Sequence, residues 1–118
     1  MKVRWTENAV EHLGSIYEYI ATNSPAYGKR MVDRITRRSE QIVEQPYSGR
    51  KVPEYDADDI RELIESPYRI IYRIKQDQID IIAVIHGAGY MPITVPEETS
   101  RSILTGNRIA APRRKVIL

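Results

Sequence analysis

The feature that most limits the fold of this chain is a change of hydrophobic period near residue 49. Before Pro46 the apolar residues recur in steps of three and four, whereas from Ile60 onward they alternate or run together. The first spacing marks helices with one buried stripe, and the second marks strands. A short alternation, Lys2–Trp5, precedes both and reads as a first strand.

Thr6 offers a hydroxyl to cap a helix, with Glu7 in the first turn where a helix dipole favours negative charge. The stripe that follows is Ala9, Val10, Leu13, Ile16, Tyr17, Ile20 and Ala21, ending near Thr22–Asn23. His12 falls beside that stripe, which predicts a surface or boundary position. Ser24-Pro25 is a second start signal, serine as cap and proline at the first helical position. Tyr27, Met31, Ile35, Ile42 and Val43 continue as a stripe, and Pro46 fixes its end. Lys29, Arg30, Arg34, Arg37 and Arg38 crowd the rest of this helix, with Asp33 and Glu40 as expected partners within it. Two helices so closely linked pack as an antiparallel hairpin.

Three strand-like segments follow the turn Tyr47-Ser48-Gly49-Arg50: Ile60–Glu65, Tyr68–Lys75 and Ile79–His86. Ser66-Pro67 and Gln76-Asp77-Gln78 separate them and are short enough for hairpins. The expected fold is therefore α+β: a first strand, a helix hairpin, then a three-stranded antiparallel meander, with the helices on one face of one sheet. The stretch SPYRIIYRI carries the sharpest pattern. Tyr68, Ile70, Tyr72 and Ile74 are the natural set to pack under the helices. The other face then shows Arg69, Ile71 and Arg73, beside either Val84 with His86 or the set Ile79, Ile81, Ala83 and Ile85. The acidic segment Tyr55–Asp59, with Asp58-Asp59, reads as a solvated loop.

Composition excludes several chemistries. There is no cysteine, and the two histidines, His12 and His86, have no metal-ligand spacing. No glycine-rich phosphate loop or nucleophile elbow is present. No cofactor and no metal are expected. The N-terminus lacks an apolar core of signal-peptide length, and no run reaches the ~20 apolar residues of a membrane span. A cytoplasmic location without membrane contact is expected. Residues 1–88 hold 13 basic and 14 acidic side chains and residues 89–118 hold 5 and 2, so any contact of the main body with a polyanion has to be local. The two parts read as one domain, 1–88, and an extension, 89–118, docked or flexible, in which 97–104 has the pattern of a short helix.

The candidate working surface is thus the arginine face of the sheet. Guanidinium groups fork onto phosphate or carboxylate, and a strand-end histidine moves protons near neutral pH. The plainer reading makes these arginines solubilising residues or partners of Glu62 or Glu65.

The order of these pieces resembles the ParE/RelE superfamily of type II toxins, closer to the ParE-like branch. The resemblance is carried by VRWTENAVEHLGSIYEYIA, SPAYGKRMVDRI, QPYSGRKVPE, IRELIESPYRIIYRI and IIAVIHGA, in register over about residues 2–88. It implies a toxin neutralised by a cognate antitoxin that covers apolar surface on the helix hairpin and sheet. It also implies that DNA is bound directly only through the antitoxin complex. One branch inhibits DNA gyrase; the other cleaves mRNA on the ribosome. The resemblance to the first implies a gyrase-binding protein, not an enzyme. The alternatives are a ribosome-dependent mRNA endonuclease with Arg69 and His86 as catalytic residues, or an inactive antitoxin-binding paralogue. Target or antitoxin contacts are expected at Arg69, Ile71, Arg73, His86 and Tyr90. The nuclease pattern often carries a basic residue three positions after the strand-end histidine, where this chain has Gly89.

Overall fold

A computed structural model of the chain describes residues 1–87. Within them β1 (Lys2–Trp5) leads into α1 (Glu7–Ala21) and α2 (Pro25–Glu40). Two tight helical turns, Gln41–Glu44 and Pro46–Ser48, precede β2 (Arg50–Lys51), β3 (Ile60–Glu65), β4 (Tyr68–Ile74) and β5 (Gln78–His86). The sheet order is β1-β5-β4-β3-β2. β5 runs parallel to β1 and antiparallel to β4, so the first strand lies outside the last. The expected α+β architecture is present, with a mixed five-stranded sheet where the meander supplies three strands. None of the described helices is long and apolar enough to cross a membrane. The expected helix at 97–104 and the extension from residue 89 lie outside the described residues.

The helix starts follow their capping residues. Thr6 accepts from the Ala9 N–H at 3.2 Å, and Ser24 accepts from the Tyr27 N–H at 3.2 Å. α1 and α2 bury Ala9, Ile16, Met31 and Ile35 against Tyr68, Ile70, Tyr72, Ile74, Ile79, Ile81 and Val84. The β4 set is the one that alternation assigned to the helices. Tyr72 is fully buried, and its hydroxyl donates to the Pro46 carbonyl at 2.6 Å, so the polar tip of a core ring anchors the turn after α2.

β5 departs from simple alternation. Ile71 pairs with Ala83 but Tyr72 pairs with Ile81, leaving Ile82 as an extra residue opposite β4. A bulge of this kind flips the facing of everything beyond it. Ile79 and Ile81 face the helices before it, and Val84 after it; Ala83 and Ile85 face the other way. Neither of the two expected parities therefore runs the length of the strand.

The second face is not open. Val52, Ile60, Ile71, Ile82, Ala83 and Ile85 form a second buried cluster, with Tyr55 and Ala57 packed against it. The connection between β2 and β3 lies across this face, so Ile71 has no exposed surface. The expected loop at 55–59, with the Asp58 side chain in solvent, is thus also a cover. Its acidic composition hid its apolar anchors, Val52, Tyr55 and Ala57.

β1 ends opposite Ile81, and α1 takes over the edge of β5 beyond it. The Thr6 N–H and hydroxyl both donate to the Ile81 carbonyl, at 3.1 and 2.9 Å, and the Asn8 amide donates to the Ile82 carbonyl at 3.1 Å. The Val84 N–H donates to His12 Nδ1 at 3.1 Å. His12 is buried, not a boundary residue, because it completes a hydrogen-bond ladder that the short first strand leaves unfinished. Its accepting nitrogen cannot carry a proton, so the ring is the Nε2–H tautomer.

Two glycines give opposite expectations. A Cβ on Gly49 would stand 2.7 Å from the Glu62 carbonyl oxygen and collide with the Tyr72 phenol. Gly14 lies in mid-helix with nothing within 4 Å of its absent side chain. Urea unfolding should show Gly49→Ala destabilised by roughly 1–3 kcal/mol. Gly14→Ala should be stabilised by up to ~1 kcal/mol.

Candidate functional site

Arg69 and Glu62 meet because antiparallel pairing of β3 with β4 sets Ile64 opposite Arg69 and Glu62 opposite Ile71. The two charged residues are therefore diagonal neighbours on one face. Arg69 Nε donates to Glu62 Oε1 at 2.7 Å, and its two terminal nitrogens donate to Glu54 at 2.9 and 3.1 Å. Glu62 Oε2 accepts from Arg50 Nε. The result is an alternating row, Arg50–Glu62–Arg69–Glu54, with Glu62 and Arg69 buried and the outer members reaching solvent. The hydrogen bond from Arg69, acting against burial, holds the Glu54 carboxyl below its ordinary range. The hydrogen bonds that Arg69 donates to Glu54 and Glu62, with burial opposing them, raise its guanidinium above its ordinary value. Arg69 is thus a charged group whose fork is filled from within the protein.

The other arginine of β4 is held in a similar way. Arg73 Nε donates to Asp59 Oδ2 at 3.0 Å, and Lys51 pairs with Asp58 at 2.9 Å. Arg73 also lies opposite Asp80, which in turn lies opposite Arg4 on β1. The Asp80 carboxylate is buried among Lys75 Nζ at 3.0 Å, Gln78 Nε2 at 2.6 Å and Arg4 Nε at 3.3 Å. Burial is the strongest single influence on Asp80 and opposes ionisation. The hydrogen bonds and charge of Lys75, with Gln78 and Arg4, outweigh it and hold the pKa below the usual carboxylate range.

His86 is exposed at the far end of β5. It pairs with Tyr68, and the two rings meet edge to face at 5.8 Å between centroids. Because Arg69 pairs with Ile85, it projects from the opposite face of the sheet. Arg69, Ile71 and Arg73 are therefore brought together beneath the 52–59 connection, and His86 is not among them. Tyr90 lies outside the described residues. Around His86 the surface is aromatic: burial, with the nearby Tyr19 and Tyr27, raises the pKa of the Tyr68 hydroxyl. Tyr19 and Tyr27 are both exposed on the helix hairpin, as are Val10 and Tyr17.

The expected partners for α2 within its own length, Asp33 and Glu40, do not hold its arginines. Arg34 reaches Glu65 on β3 at 2.7 Å and Arg38 reaches it at 3.6 Å. Sequence reasoning named Glu62 and Glu65 as possible partners but missed Glu54 and Asp80. Asp80 did leave a signal, as the only acid within an otherwise apolar strand. No three histidine, aspartate or glutamate side chains among the described residues converge as a metal site needs.

Residues 3–89 match the family described as the ParE toxin of the type II toxin–antitoxin system parDE. A protein named toxin RelE2 from Caulobacter vibrioides is 31% identical over 88 residues, spanning 74% of this chain and 96% of that protein. Among solved structures, one described as the chromosomal ParDE TA system from P. aeruginosa resembles it with a TM-score of 0.62 at 24% identity. That likeness covers 73% of this chain and 95% of the other, and it bears on the fold.

The ion-pair row sets two expectations. Arg69→Ala leaves Glu62 buried beside one exposed arginine and should cost about 3–5 kcal/mol in denaturant unfolding. Replacing both, Arg69→Met with Glu62→Leu, should recover much of that loss. The lowered pKa values of Glu54 and Asp80 fix the sign of the pH dependence. Their contribution is present above the unfolded carboxylate pKa of about 4 and is lost as pH falls through the lower folded values. Urea midpoints measured from pH 7 to pH 3 should fall, and less steeply for Asp80→Asn.

Proposed function

Since the chain belongs to the ParE toxin family of type II toxin–antitoxin systems, we propose that it arrests growth by binding DNA gyrase and does not cut RNA. It is a toxin of ParE/RelE type with a cognate antitoxin as partner. The observation that favours a binder over a nuclease is the state of Arg69. Cleaving RNA through its 2′-hydroxyl needs charge stabilised on the phosphate and a proton delivered to the leaving oxygen. Arg69 gives Nε and both terminal nitrogens to Glu54 and Glu62, and His86 stands on the other face of the sheet. A phosphate at Arg69 would have to displace Glu54 and would still lie away from the imidazole.

A protein target instead needs exposed side chains with contact area. The hairpin offers Val10, Tyr17, Tyr19 and Tyr27, and His86 adjoins this aromatic corner. The antitoxin covers part of this same surface in our reading, so neutralisation is by occlusion. The cytoplasm, where gyrase works, is the proposed location. The ribosome-dependent nuclease reading draws on the similarity to a protein named RelE2.

Purified full-length protein in a gyrase supercoiling assay should inhibit the reaction, and the antitoxin should relieve it. A translation reaction read by primer extension should show no new mRNA ends. Cleavage in the ribosomal A site that is lost in His86→Ala would overturn the proposal in favour of the nuclease. Harmless behaviour in both assays would leave the antitoxin-binding paralogue.

A further inference from the structure

The two helices that pack on one sheet carry opposite charge. α1 holds three glutamates, Glu7, Glu11 and Glu18, and no lysine or arginine, whereas α2 holds five cations and two acids. Residues 1–87 nearly balance, with 13 basic and 14 acidic side chains, so the asymmetry lies in arrangement and not in total charge.

On a helix of 3.6 residues per turn, Arg30, Arg34 and Arg37 fall within an arc of roughly 60°. All three are exposed, while Gly28, Met31, Ile35 and Ser39 take the buried side of α2. The Arg30 guanidinium lies 5.6 Å from the centre of the Tyr27 ring, and Arg37 has no carboxylate partner among the described residues. Among the described residues only Glu65 neutralises part of this helix's cationic side, through Arg34 and Arg38. The stripe is continued from the sheet side. Burial raises the pKa of the Tyr72 hydroxyl, and the charges of Arg61 and Arg38 both lie near enough to oppose that rise. Arg61 stacks over the exposed Tyr47 ring at 5.1 Å. Its N–H groups go to the carbonyls of Asp58, Tyr47 and Gly49, which satisfy its donors without cancelling its charge.

We propose that the arginine stripe of α2, continued by Arg61 and Tyr47, is a contact surface for the phosphate backbone of duplex DNA. Guanidinium forks match phosphate oxygens, and a row of them on a helix follows a backbone without reading bases. An exposed ring with a cation fixed on it adds a platform at one end. The choice of DNA among polyanions rests on the gyrase reading, because the target then acts on DNA. The charge arrangement does not depend on it. The resemblance, in contrast, reaches DNA only through an antitoxin.

The test uses naked DNA without gyrase or antitoxin, so its failure and that of the gyrase reading are separate results. Full-length protein is titrated against a labelled 30-bp duplex by fluorescence anisotropy at several salt concentrations. Three phosphate contacts give a log–log salt slope of about −3, and Arg30→Ala with Arg37→Ala should make it shallower by about two. Neither side chain bonds the sheet, and circular dichroism verifies that the fold is kept. Arg30→Lys with Arg37→Lys should retain most of the slope, and Glu11→Ala with Glu18→Ala on α1 should leave it unchanged. Absence of binding at low salt overturns the proposal. So does a slope indifferent to Arg30 and Arg37, or binding of poly-glutamate in place of DNA with the same arginine dependence.

Discussion

A carboxylate with no exposed surface in the middle of a sheet is the constraint around which the second half of this molecule is arranged. Glu62 can stay ionised there only if cations and hydrogen bonds replace the water it gives up. Arg69 supplies one cation from β4 and Arg50 another from β2, which joins the two-residue edge strand to the sheet. Arg69 in turn needs more than one carboxylate for its fork, and Glu54 provides it from the 52–59 connection. The cover over the second apolar cluster is therefore tied to the sheet by the same charge row that makes Glu62 tolerable. Packing and electrostatics support each other here, and the loss of either leaves the other exposed to water.

This arrangement bears directly on how the surface divides between structure and recognition. A guanidinium whose fork and charge are both taken up by buried carboxylates has little left for a phosphate. Those of β4 are committed to internal carboxylates, while those of α2 face solvent with partial neutralisation. The aromatic corner around Tyr19, Tyr27 and His86 adjoins the cationic helix, where Arg30 lies over the Tyr27 ring. The domain thus has a filled cationic face beneath a loop, a cationic helix, an anionic helix and an aromatic end. Among the described residues, the last three are the surfaces left open to partners.

Local signals carried most of the fold and little of the site. Thr6, Ser24-Pro25 and the three-to-four spacing placed both helices, and YRIIYRI placed β4 with the correct face inward. What escaped was whatever depended on a partner distant in sequence. The bulge at Ile82 is invisible in IDIIAVI, because an apolar run facing buried layers on both sides has no polar phase to lose. Arg69 looks like a surface residue until Glu54 and Glu62 are brought to it by strand register and by the fold of a connection. His12 looked like a boundary residue, because nothing in its neighbours reveals that β1 stops short of Val84. The acidic loop gave no sign of covering the sheet, because Val52, Tyr55 and Ala57 count for little among so many charges.

Among the described residues, one edge strand of this sheet is the first to be made, and its only neighbour is the last. Thr6 and Ile81, bonded to each other, stand 75 positions apart in the chain. β5, like β4, supplies both hydrophobic clusters, through Ile79, Ile81 and Val84 on one side and Ile82, Ala83 and Ile85 on the other. A chain still short of Ile79 consequently lacks the strand that joins β1 to β4, and its helices have only part of a surface to settle on. The cost of closing so long a loop is met only when that strand arrives, which makes folding a late and cooperative event. The faces open to a partner are thereby completed together, once the last of the described strands has been made.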